Sequence, residues 1–116
     1  MISKELLSAV LKETIRAVYK IGSNSNFKQN TLLFKLYGSG ELCHINIYEL
    51  THKCKEWAKS KGFFILSGYD NTETPEAIIN HIYSESGCYC DESFEAETEH
   101  QAIFKACQWI LDKDSK

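Results

Sequence analysis

Residues 74–83 read Thr-Pro-Glu-Ala-Ile-Ile-Asn-His-Ile-Tyr, and the state of this segment decides the fold. Thr74 as a cap and Pro75 at a first helical position argue for a helix. The β-branched Ile78, Ile79 and Ile82, with an exit through Ser84-Glu85-Ser86-Gly87, argue for a strand turning back into Cys88 to Ala96. Local signals leave both readings open, and the order of the elements around the segment favours the strand.

Immediately downstream, Thr98-Glu99-His100-Gln101 has the form of a capping box and opens the clearest helix in the chain. Ile103, Cys107, Ile110 and Leu111 form its apolar stripe, widened by Phe104 and Trp109. Upstream, Phe63 to Tyr69 reads as a strand, and its near-continuous apolar start suggests a central position buried on both faces. Before it, Asn46-Ile47-Tyr48-Glu49 is a second capping box, in which the Asn side chain accepts from the N–H three residues on. The helix that follows aligns Ile47, Leu50, Cys54, Trp57 and Ala58, and Gly62 stops it. Toward the N-terminus, Ser3 caps a short helix from Lys4 to about Leu11. Thr14 to Ile21 alternates as a half-buried strand, with Ile15, Ala17, Tyr19 and Ile21 opposed to Thr14, Arg16, Val18 and Lys20. Residues 22–26 are a loop by composition; Thr31–Tyr37 and Glu41–Ile45 are strands around the Gly38-Ser39-Gly40 turn. The expected architecture is one α+β domain over residues 1–116: an antiparallel sheet carrying two principal helices, with α-β-β-β-α order in residues 46–112 after a short helix and strands.

Charge is distributed unevenly along this order. Between Gly62 and Phe104 there is no Lys or Arg, yet nine carboxylates fall there, whereas all thirteen basic residues lie elsewhere beside seven acids. The formal net charge of −3 conceals this segregation, which shapes the field that partners meet. The composition, 43% hydrophobic and 25% charged, is ordinary for a globular protein. There is no apolar run of membrane-spanning length and no signal-peptide pattern at the start, so a cytoplasmic location without membrane association is expected. Five cysteines, an odd number among apolar neighbours, suit free thiols in a reducing compartment.

Chemistry-bearing patterns are weak. Cys43, His44, His52, Cys54, His81, Cys88 and Cys90 include zinc's ligands but not its usual paired spacing. Alternation places Cys88, Cys90, Phe94 and Ala96 on one strand face, where two thiols serve as packing. Cys54 and Cys107 lie on buried helix stripes, and His100 sits among Glu97 and Glu99, without the surroundings that activate a nucleophile. Asp91, Glu92, Glu95, Glu97 and Glu99 lack calcium-loop spacing. The sequence therefore implies neither an enzyme nor a cofactor or metal site.

The helix-strand-strand-strand-helix order of residues 46–112 resembles that of double-stranded-RNA-binding domains, which is the ground for reading residues 77–84 as a strand. That family opens its last helix with phosphate-clamping lysines; here the same place holds Glu97-Thr98-Glu99-His100-Gln101, which repels phosphate. Tyr48-Glu49-Leu50 with Cys54-Lys55-Glu56-Trp57-Ala58, followed by strands and by Ala102-Ile103-Phe104-Lys105-Ala106-Cys107-Gln108-Trp109-Ile110-Leu111, is similar to small uncharacterised proteins of phages and mobile elements, including the phage ABA-sandwich domain. The acidic-Thr-x-x-Ala exit also resembles HicB-type antitoxins, although their Pro-Gly-Cys turn is missing.

These features lead to an expectation of a non-enzymatic, phage- or mobile-element-type accessory protein. It would bind a protein partner of basic character through an acidic surface made by Asp91, Glu92, Glu95, Glu97 and Glu99. The alternative is a nucleic-acid-binding or HicB-like module using Arg16, Lys20, Lys28, Lys35 and the Lys53-to-Lys61 helix. Homodimerisation through a free strand edge is a further expectation.

Overall fold

The computed structural model describes residues 2–19, 30–69, 75–83 and 87–114, with side chains described outside positions 69, 76, 78–83, 87–92 and 114. The loop expected at 22–26, the exit at 84–86, and Lys20, Ile21 and Lys28 lie outside the described residues. Helix α1 (Lys4–Leu11) is followed by β1 (Ile15–Val18), β2 (Thr31–Leu36) and β3 (Cys43–Asn46). Then come α2 (Ile47–Ser60), β4 (Phe63–Tyr69), β5 (Pro75–Tyr83), β6 (Gly87–Glu95) and α3 (Glu99–Asp114). The segment that decides the fold is therefore a strand. Pro75 stands at its first position, where a missing N–H is tolerated.

The fold is α+β, as expected: the N-terminal strands form one antiparallel sheet, and another antiparallel sheet carries the two long helices. Their orders are β1-β2-β3 and β4-β5-β6. Each is a meander, in which strands successive in sequence pair as neighbours.

Helix ends are set by local chemistry. Ser3 Oγ accepts from the Leu6 N–H at 3.1 Å and Thr98 Oγ1 from that of Gln101 at 3.3 Å, each relieving an orphan donor of a first turn. Asn46 Oδ1 accepts from Tyr48 N–H at 2.8 Å, two residues on rather than the three a capping box would use. The Ile47 N–H donates to the Asn30 carbonyl at 2.7 Å, which ties the start of α2 to the start of β2. Gly62, at φ 90°, supplies the left-handed residue that ends the α2 segment.

Two bulges overturn simple alternation. Ile15 pairs with Leu36 and Val18 with Phe34, with a register shift between Ile15 and Ala17. One extra residue flips the pleat, so Val18 joins Ile15 against the core while Tyr19 is exposed, the reverse of the period-two reading. In β6, Glu92 pairs with Ile79 and Cys90 with Asn80, leaving Asp91 as the extra residue. Phe94 lies opposite Ala77, whereas Cys88 and Cys90 lie opposite Ile82 and Asn80. Positions 77 and 80 stand on opposite sides of the pleat, so the ladder separates both cysteine positions from Phe94.

A further correction concerns β4. It is an edge strand, not a central one, and alternates between buried Phe63 and Ile65 and exposed Phe64 and Leu66. Among the described side chains, burial on both faces is seen in β2, in which Thr31, Leu32, Leu33 and Phe34 are all buried.

One hydrophobic cluster draws on all three helices and both sheets. The stripe Ile47, Leu50, Cys54, Trp57 and Ala58 of α2 meets Ala102, Ile103, Ala106, Cys107 and Ile110 of α3. Both helices lie on the face of the second sheet that carries Phe63, Ile65 and Ala77. Phe63 and Trp109 close one end edge-to-face, with centroids 5.9 Å apart. Leu50 is completely buried in this seam. Its truncation, Leu50→Ala, is expected to lower stability by about 2–5 kcal/mol in urea titration with an unchanged m-value.

Candidate functional site

The segment from the end of β6 into α3 holds the acidic residues singled out by the sequence, and the fold treats them differently. Glu95, the last residue of β6, is exposed and lies opposite Glu76 in the ladder. The Ala96 N–H donates to the Pro75 carbonyl at 3.2 Å, holding the chain to β5 as it leaves the sheet. Glu97 is also exposed. Glu99 is half-buried and accepts a hydrogen bond at 2.7 Å from the Ser67 hydroxyl of β4. It braces the α3 N-terminus, where its charge also meets the positive end of the helix dipole. For Asp91 and Glu92 only the backbone is described: Asp91 is the bulge residue, and Glu92 lies opposite Ile79, on the side of the pleat away from Glu95. Of the five, Glu95 and Glu97 are brought together as exposed carboxylates.

These two line a groove of about 940 Å³ between the N-terminal end of α1, the start of β5 and the outer side of α3. Ile2, Pro75 and Phe104 give it a buried apolar floor. Polar groups flank the floor: Gln101, Gln108 and Ser3, whose hydroxyl donates to Gln108 Oε1 at 2.7 Å. Lys105 lines the groove as well, its ammonium donating to the Glu95 carbonyl oxygen at 2.9 Å and so capping the free end of β6. The site thus combines two exposed carboxylates, one anchored ammonium and an apolar base. Gln101, Phe104, Lys105 and Gln108 recur at three- and four-residue spacing on α3, so their common face was readable in the sequence. Ile2, a hundred residues away, was not.

A second cleft, of about 460 Å³, separates the first turns of α2 and α3. Tyr48, Thr51, His52 and Lys55 line one side, and Thr98, Glu99 and His100 the other. His52 pairs with Glu56 one turn along α2, with both side chains well exposed. His100 packs against Phe104, and burial is the larger cause holding its pKa below the ordinary 6.5. Lys55 and Lys105 therefore both stand beside segments that are purely acidic in the sequence, and the charge segregation does not carry over whole into the surface.

Two of the thiols serve as packing in the seam between α2 and α3. Cys54 and Cys107 are fully buried, and the Cys107 Sγ–H donates to the Cys54 carbonyl at 3.7 Å. Hydrogen bonding to the Cys54 side chain, and then burial, push the Cys107 thiol far above the range in which a thiolate forms. Among the described residues no three His, Cys, Asp or Glu side chains converge as a metal site, and the His81, Cys88 and Cys90 side chains lie outside them. No described helix is long and apolar enough to cross a membrane. Comparison with known proteins finds no match to this chain: no family model, no curated protein and no solved structure.

Two measurements test this account. In the native protein Cys54 and Cys107 should resist a water-soluble thiol reagent and react fully only after denaturation, as read by peptide mass spectrometry. His100 binds its proton less readily folded than unfolded, so its contribution to stability is present above the ordinary histidine pKa and is lost as pH falls through 6.5 and below. The melting temperature should accordingly fall less between neutral pH and pH ~5 in His100→Gln than in the parent.

Proposed function

We propose that this protein is a non-enzymatic accessory protein of phage or mobile-element type that acts by binding a protein partner. The groove between α1, β5 and α3 is the contact site, and the partner presents a segment carrying Lys or Arg beside an apolar side chain. One observation carries this reading: exposed Glu95 and Glu97 border a floor of Ile2, Pro75 and Phe104 in a groove of about 940 Å³. Apolar side chains recessed below a charged rim are the anatomy by which protein surfaces gain affinity from burial and selectivity from charge. The sequence likeness of residues 46–112 to small mobile-element proteins supports the biological setting.

The same geometry ranks the contributors. Glu95 and Glu97 have no role in holding a described helix cap and are free to meet a partner's cations, whereas Glu99 is engaged by Ser67 and contributes less. Nucleic acid fits the α3 N-terminus poorly, because Glu97 and Glu99 stand where phosphate would approach.

Affinity capture from native extract, comparing the parent with the Glu95→Lys/Glu97→Lys double variant, tests the proposal. A partner retained by the parent should elute with salt. Its recovery should fall about tenfold or more with the double variant, whose circular dichroism and melting temperature stay those of the parent. Equal recovery by both proteins would exclude the groove rim as the contact.

A further inference from the structure

The outer face of the second sheet offers a separate surface. Strand β4 is its edge, and among the described residues no strand runs along the side of β4 away from β5. On the outer face of β4, Phe64 is 36% and Leu66 59% exposed. Next in this row is Gly68, around which a Cβ would meet nothing within 4 Å. An apolar pair followed by a bare glycine on an open edge is a template for a further strand.

We propose that β4 pairs antiparallel with β4 of a second copy of this chain, about a two-fold axis through Leu66, making a continuous six-stranded sheet. The pairing is self-complementary. With Leu66 facing Leu66 of the second copy, Phe64 falls opposite Gly68 of the second copy, and the reverse holds on the other side of the axis. Each phenyl ring then covers the backbone that a glycine leaves bare, as aromatic residues do across from strand glycines.

Charge complementarity selects the same occupant. Lys59 Nζ lies 5.8 Å from the centroid of the Phe64 ring, so one end of the β4 outer face is basic. At the other end the ladder aligns Gly68 with position 76 and on to Glu95, whose exposed carboxylate makes that end acidic. Antiparallel pairing brings the basic end of each copy beside the acidic end of the other, twice per dimer. A parallel arrangement would set like ends together. The contact uses neither the floor nor Glu97 of the groove described above, and it does not rest on the proposed function.

Sedimentation velocity over a rising concentration series tests this pairing. The parent chain should sediment as a dimer at high micromolar concentration and Leu66→Lys as a folded monomer. Lys59→Glu should weaken self-association roughly tenfold, and Lys59→Glu with Glu76→Lys should restore it. Leu66→Cys, oxidised in the native state, should give an intermolecular disulfide mapped by mass spectrometry to position 66 of both copies. A parent that stays monomeric throughout, a dimer indifferent to Leu66→Lys, or a charge reversal that the second substitution does not rescue would each overturn the proposal. The last comparison stands even if Leu66→Lys fails to fold. Association only with a different polypeptide, without self-association, would also refute it.

Discussion

The seam where α2 and α3 meet governs the rest of this molecule. Cys54, Ala58, Ala102, Ala106 and Cys107 are all fully buried, and all are small. Small residues let two helix backbones approach closely, and the interior then fills with few voids. Leu50, Ile47 and Ile110 complete the contact with larger side chains. Because both helices also lie on one face of the β4-β5-β6 sheet, the seam fixes the position of the α3 N-terminus. From that position Ser67 of β4 reaches Glu99, and Lys105 reaches the end of β6.

The surface inherits this arrangement. Forty-three consecutive residues without a basic side chain suggest a single acidic face, but three-dimensional packing sets lysines beside them. Lys105 projects from the same helix that begins with the acids, and Lys55 reaches the cleft lined by Glu99. Under the proposed function, recognition would be local: it would depend on which carboxylates remain exposed beside apolar surface, and Glu95 and Glu97 at the α1–α3 groove meet that condition. The field of the whole chain still contributes at long range, where salt screens it within about 10 Å.

Dividing six strands into two three-stranded sheets has a second consequence. Each sheet has two edges, and a short sheet buries one face well only where helices cover it. In the second sheet the covered face holds Phe63, Ile65 and Ala77, and the opposite face shows Phe64 and Leu66 to solvent. The groove and this outer face diverge from the same strands, with Glu95 at the corner between them. One small α+β scaffold thus presents two surfaces of different chemistry.

Much of the architecture was legible in the chain itself. Caps at Ser3, Asn46 and Thr98, the helical stripes and the stop at Gly62 follow from short-range chemistry, in which neighbours along the sequence are neighbours in space, whereas the strand at 75–83 was legible only from the order of the elements around it. Tertiary structure alone decided the bulges that send Val18 inward and part Cys88 and Cys90 from Phe94, since an extra residue is defined only by the strand opposite. It also decided that β4 is an edge: an apolar run records hydrophobicity but not how many strands will flank it. The candidate site divides in the same way. Its exposed acids and the α3 face were readable from spacing, but Ile2 and Pro75 enter the groove through long-range packing, which no local periodicity encodes.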